Sequence, residues 1–178
     1  MFVVADIREL DLKSLSSVSG LSNAWATFLC EAASFCLEKH GHANGTKLIV
    51  DGDSRMFLSL LWCRSSPGSW SSWSDLGQAT EFGAYGIAIL LVINLTEYKA
   101  IERAVKGTGI DYWLGTDSLL FQQKARLEVS GIFKGSEAKV DERARQKAVQ
   151  TGQSDKTRMP VYIVIVEFGT PRSKIIKK

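Results

Sequence analysis

The run VYIVIVEF at residues 161–168 constrains the fold more than any other stretch of the chain. It is continuous and rich in β-branched residues, the signature of a strand covered on both faces. Residues 76–95 read as a helix whose centre, YGIAILLVINL, is apolar on nearly every face, so it too must be buried. That run is shorter than the roughly 20 apolar residues that cross a bilayer, is interrupted by Asn94 and is preceded by Glu81. It therefore predicts a core helix against a sheet, with no membrane partner. A helix and a strand that both need cover predict an α/β protein with a mixed β-sheet flanked by helices. At 178 residues the chain fits a single domain.

Other elements follow from local signals. Residues 2–7 (FVVADI) predict a first strand, and residues 22–40 a helix opened by Ser22 or Asn23 and ended by Gly41. Residues 46–50 and 55–62 flank Asp51-Gly52-Asp53, a hairpin signal. Residues 64–74 form a Ser/Gly/Pro loop holding Trp70 and Trp73, which could stack on bases or pin the loop to the core. Thr96 is placed to open an amphipathic helix running to Val105, ended by Lys106-Gly107-Thr108-Gly109. Strands follow at 110–114, near 119–121, and at 124–133. In the last of these, Ala125, Leu127 and Val129 alternate with Lys124, Arg126, Glu128 and Ser130. Residues 136–152 predict a charged helix from Ser136 to Gly152, and residues 169–178 a basic tail.

Composition excludes classes more than it selects one. With 45% hydrophobic and 23% charged residues the chain is ordinary globular material, neither fibrous nor disordered. Cys30, Cys36 and Cys63, an odd and scattered set, predict reduced thiols, and the charged N-terminal decapeptide is unlike a signal peptide; a cytoplasmic location is expected. The net charge of +3 hides an asymmetry. Residues 1–96 hold six basic and nine acidic residues, and residues 97–178 hold sixteen and ten, giving −3 and +6. Such a split suggests that the second half faces a polyanion, although a solvated basic helix and a lysine-rich tail would produce it too.

Three carboxylates stand where chemistry needs them. Asp111 follows a Gly-Thr-Gly turn at the start of a strand, Glu128 lies mid-strand seventeen residues later, and Glu81 lies near the start of the buried helix. Carboxylates in apolar surroundings are costly unless they meet a cation or donors. Brought together they would offer hard oxygen ligands suited to Mg²⁺ or Mn²⁺. Each also has a plainer reading. Asp111 could cap a turn, Glu128 could be neutralised by Arg126 or Lys124, and Glu81 could be a first-turn acid favoured by the helix dipole.

The order helix, strand, strand, strand, helix, strand over residues 76–168, with Gly109-Ile110-Asp111 and Arg126-Leu127-Glu128-Val129-Ser130, resembles the PD-(D/E)XK, or restriction-endonuclease-like, phosphodiesterase superfamily. The resemblance implies an αβββαβ core at 76–168 with an N-terminal α+β extension at 1–75. It implies a metal site of Glu81, Asp111 and Glu128, and a nucleic-acid substrate. It further implies a setting in restriction or defence, as a homodimer or a subunit of a larger complex. The chain departs from the motif at one place: Ser130 stands where the family carries a lysine that orients or activates the nucleophilic water. A relocated base could come from Lys124 or Arg126 on the strand, or from Lys139, Arg143, Gln146, Lys147 or Gln150 on the following helix. The catalytic set expected is therefore Glu81, Asp111, Glu128, Ser130, Lys124 and Lys147. Without a relocated base, the fold would be an inactive module that binds nucleic acid or a protein. A third reading makes the carboxylates surface charges of an immunity-type or structural protein.

Competing motifs are weak. Cys36, His40 and His42 could suggest a soft-metal site, but they lie at a helix end with no second cluster. Lys106-Gly107-Thr108-Gly109 leads into a strand rather than a helix, so it is no phosphate loop. Two histidines in one turn make a nucleophile triad improbable.

Overall fold

The computed structural model describes residues 8–65, 68–117, 119–153 and 158–178. The chain is an α/β protein in which an eight-stranded mixed sheet packs against helices. Strand β1 (Glu9–Asp11) leads into a single 3₁₀ helix (Leu12–Ser17) and then α1 (Asn23–Lys39). The hairpin β2 (Thr46–Asp51) and β3 (Arg55–Leu61) follows, then the single turn α2 (Ser69–Ser72) and the core helix α3 (Leu76–Leu95). The second half runs β4 (Ala100–Arg103), β5 (Tyr112–Gly115), β6 (Ala125–Ile132), α4 (Glu137–Gln153), β7 (Val161–Glu167) and β8 (Arg172–Lys177). The sheet order is β1-β3-β2-β8-β7-β6-β5-β4.

β7 shows why its sequence is apolar throughout. Tyr162, Val164 and Val166 enter the main core with α1 and α3, while Val161, Ile163 and Ile165 enter a second cluster with Val140 and Ala144 of α4. Helices thus cover both faces of the strand. α3 is long and apolar enough to cross a membrane, yet 67% of its most apolar stretch is buried within the fold. Asp75 caps its first turn, accepting from the N–H groups of Gly77 and Gln78 at 2.8 and 3.1 Å.

α1 and the β2–β3 hairpin form as the sequence predicts, with Ser22 as the cap of α1. Three expectations are corrected, and a fourth, the strand predicted at 2–7, lies outside the described residues. The helix predicted from Thr96 to Val105 is instead edge strand β4, antiparallel to β5. Thr96 ends α3 rather than opening a helix: its hydroxyl donates to Val92 O, and Lys99 Nζ donates to the carbonyls of Ile93 and Thr96. The strand predicted near 119–121 is a loop with Leu119 and Leu120 exposed, so β4 takes its place and the order from α3 to β7 still contains three strands before α4. Residues 169–178 are not a free tail. β8 pairs with β7 on one side and β2 on the other, joining the N-terminal hairpin to the rest of the sheet. Its basic residues are engaged: Arg172 pairs with Asp51 and Glu137, and Lys174 with Asp141.

Trp73 is a buried peg whose indole N–H donates to Glu31 at 2.7 Å, whereas Trp70 is half-exposed against Phe35. His40 and His42 are half-buried anchors that donate to the carbonyls of Phe133 and Phe168 at 2.7 and 2.8 Å. With Cys36 fully buried in the core, the three make no metal site.

Candidate active site

The cleft arises from a mismatch in strand length. β6 pairs with β7 along Arg126–Ile132, but with β5 only along Ala125–Leu127. Beyond Leu127 its β5-side edge is open. Into this notch the chain delivers Asp111, one residue before β5 begins. Gly107 and Gly109, at φ +95° and +77°, make the tight turn from β4 that aims it there. The Asp111 amide donates to Leu127 O at 3.0 Å, and Asp111 Oδ2 accepts from the Val129 amide at 2.8 Å. The two bonds bracket Glu128 on the neighbouring strand.

Glu128 faces α4, where Lys147 Nζ donates to its Oε1 at 2.6 Å; the Glu128 side chain is 8% exposed and that of Lys147 23%. One turn earlier on the same helix face, Arg143 Nη1 donates to the Ser130 hydroxyl at 2.8 Å. Glu81 arrives from α3 on the other side of the notch. One helical turn on, the Tyr85 hydroxyl sits 2.9 Å from Glu81 Oε1 and 2.8 Å from Asp111 Oδ1, bridging the two carboxylates. Glu81, Tyr85, Asp111 and Glu128 are shared by two adjoining hollows of about 650 and 520 Å³. The first is walled by Lys134, Lys139, Arg143 and Lys147, the second by Arg103, Lys106 and Gln150.

The structure brings Glu81, Asp111, Glu128, Ser130 and Lys147 to one cleft. Lys124 is not among them. It is exposed at the opposite end of β6, where its amide donates to Leu114 O, and four strand residues put it about 13 Å from Glu128 along the backbone. Arg126 is buried and turned the same way, with Nη2 donating to Met159 O. The cation paired with Glu128 comes instead from α4, as Lys147. Glu167, at the end of β7, accepts from the amides of Gly135, Gly169 and Thr170 and holds the two turns there together.

Burial dominates the electrostatics. It raises Asp111 from its ordinary value, against the Val129 amide, the Tyr85 hydroxyl and the charges of Lys147 and Arg103. Burial and the Asp111 charge push Glu128 up, and Lys147 pulls it back. Tyr85 is raised by burial and then by Asp111 and Glu81. Neither Asp111 nor Glu128 is a surface charge. An acid whose folded pKa is raised binds its proton more tightly folded than unfolded, so stability falls as pH rises through that pKa. In the absence of divalent ions, Asp111→Asn, which can keep both hydrogen bonds, should raise the melting temperature at pH 8 by about 2–4 °C. The gain should vanish at low pH, where Asp111 is itself neutral; thermal melts from pH 4 to 8 check this.

The donor set suits a hard divalent ion, but not as the three-carboxylate cage expected from sequence. Among the described residues no three His, Cys, Asp or Glu side chains are grouped to enclose an ion, and the Tyr85 hydroxyl separates Glu81 from Asp111. Mg²⁺ is commonly held by one or two carboxylates with water and substrate phosphate completing its shell, and Asp111 and Glu128, which line one cleft and feel each other's charge, are the candidates for that role. Sequence reading missed Tyr85 because it lies in an apolar run, although its i,i+4 spacing from Glu81 puts both on one face. It missed Arg103 through the mistaken helix.

No family model, no curated protein and no solved structure matches the chain. The site's chemistry therefore rests on its own geometry.

Proposed function

We propose that the protein is a metal-dependent phosphodiesterase acting on DNA or RNA, with a restriction-endonuclease-like core in residues 76–168. The observation that carries this reading is the convergence of Asp111, Glu128 and a helix-borne lysine, Lys147, at a notch in the sheet. That lysine supplies the basic group that Ser130 lacks. The order from α3 to β7, with Asp111 before one strand and Glu128 on the next, supports the same reading.

A divalent cation, when bound, would polarise a phosphoryl oxygen and lower the pKa of an attacking water. The chain's own residues do the rest. Asp111 and Glu128 would hold the ion, with Glu81 and Tyr85 fixing Asp111 from the side of α3. Lys147 Nζ, held against Glu128, orients the attacking water and offsets charge developing on the phosphate. Arg143 holds Ser130 and adds a second cation to the wall. The lysines and arginines on both sides of the carboxylates provide the sequence-independent attraction that a phosphate backbone requires. A setting in restriction or defence, as a homodimer or subunit of a larger complex, follows from the family resemblance.

One observation favours a second reading, an inactive module of this fold. The Glu128–Lys147 ion pair and the Tyr85 bridge satisfy the carboxylates without an ion. Incubation with labelled DNA and RNA in Mg²⁺ or Mn²⁺ separates the two. An enzyme cleaves at least one of them and stops in EDTA. A protein that neither cleaves nor binds the ions but retains a nucleic acid is the module.

A further inference from the structure

Arg103 is fixed in place by three aromatic rings. Its guanidinium lies 4.9 Å from the ring centroid of Tyr85, 5.1 Å from that of Tyr112 and 5.3 Å from that of Trp25. Nη1 donates to the Tyr112 hydroxyl at 2.8 Å, and the Trp25 indole N–H donates to that same oxygen at 3.2 Å. A guanidinium carries five N–H donors. Among the described residues Nε and Nη2 of Arg103 have no hydrogen-bond partner, and the side chain is exposed in the smaller hollow beside Asp111. The rings restrict the arginine's motion while leaving a charged, donor-bearing edge towards the cleft. Lys106, in the turn after β4, lines the same side.

This position lies across the carboxylates from the α4 wall of Arg143 and Lys147. A phosphodiester bound over Asp111 and Glu128 continues in two directions, and α4 supplies cations on only one of them. We infer that Arg103 is a preorganised phosphate clamp, which with Lys106 seats the backbone phosphates flanking the reacting one on the side away from Arg143 and Lys147. The inference rests on the phosphodiesterase reading and adds to it the path of the substrate. The planar fork of arginine suits bidentate contact with phosphate oxygens, and its stack on tyrosine removes side-chain entropy before binding.

The test is binding of a fluorescein-labelled twelve-nucleotide DNA, single-stranded and duplex, by anisotropy in EDTA over a range of NaCl, with melting temperatures alongside. Arg103→Gln should weaken binding about tenfold and reduce the slope of log Kd against log salt by about 0.7–0.9, the loss of one phosphate contact. Arg103→Lys keeps the charge but not the fork, so it should keep the slope while losing part of the affinity. If Arg103→Gln fails to fold, Lys106→Gln in its exposed turn reads the same path and should also reduce the slope. Parental affinity and slope in Arg103→Gln, or in Lys106→Gln where that variant must stand in, overturn the clamp alone. A parent that binds neither oligonucleotide at any salt overturns the phosphodiesterase reading on which the clamp rests. In steady state, Arg103→Gln should raise KM more than it lowers kcat; a fall in kcat alone contradicts a phosphate-seating role.

Discussion

Lys147→Met is expected to cut nucleic-acid cleavage by about 100-fold or more and to destabilise the fold by about 2–3 kcal/mol at pH 8. The two losses have different origins, and a second substitution separates them. Removing Lys147 leaves Glu128, 8% exposed, without the partner that pulls its pKa back down. The stability loss is therefore largest where Glu128 is ionised. It shrinks as pH falls through the raised pKa of Glu128 and the carboxylate takes up a proton. The double variant Glu128→Gln with Lys147→Met removes both charges and should recover most of the stability, as replacement of a buried pair commonly does. It should recover none of the activity. Activity that returns with stability would reduce Lys147 to a structural partner of Glu128 and favour the module reading.

Gly131→Ala tests the platform beneath the site. A Cβ at Gly131 would stand 2.5 Å from the Thr80 carbonyl oxygen and 2.7 Å from its Cγ2, so β6 and α3 meet here at backbone distance. α3 must move to admit a methyl group, and Glu81 is the residue after Thr80. The expected result is a loss of about 3 kcal/mol and roughly 10 °C in melting temperature, with cleavage falling further than stability explains. Gly83→Ala is the comparison. Its Cβ would stand 2.9 Å from Ala33 Cα, pressing α3 against α1 instead of β6. A similar loss of stability is expected there. A melting temperature within 1 °C of the parent for Gly131→Ala would show that the α3–β6 contact can yield, and that the notch is not held by it.

How far the sequence was readable depends on how local each determinant is. α1, the β2–β3 hairpin, α3 and β7 carry caps, turn signals and unbroken apolar runs, all visible within a short window. β4 and β8 do not. Residues 97–105 alternate apolar and charged residues in a way that fits either helix or strand. The choice falls to distant partners, β5 and the Ser19 carbonyl that receives the Ile101 amide. β8 hides Ile175 among lysines, and its place is set by pairing with β7 and, in parallel, with β2, more than a hundred residues away. The charge split was readable, but its meaning was only half so. Arg172 and Lys174 serve the fold through Asp51, Glu137 and Asp141, whereas Arg103, Lys106, Lys134, Lys139, Arg143 and Lys147 line the cleft.

The candidate site follows the same rule. Asp111 and Glu128 were marked by their places at the start of one strand and in the middle of another. Lys147 and Arg143 were readable only as members of a helix face, because which turn of α4 meets Glu128 depends on packing against β7. Tyr85 and Arg103 gave no local signal that separated them from core and helix.

The most direct measurement is cleavage of DNA and RNA in Mg²⁺ or Mn²⁺ by the parent beside Asp111→Ala and Glu128→Ala, with each variant shown to be folded. The site described here predicts cleavage by the parent and a loss of about 100-fold or more in each variant. Cleavage that survives both substitutions would contradict the site, and a parent that cleaves neither nucleic acid would contradict the enzyme.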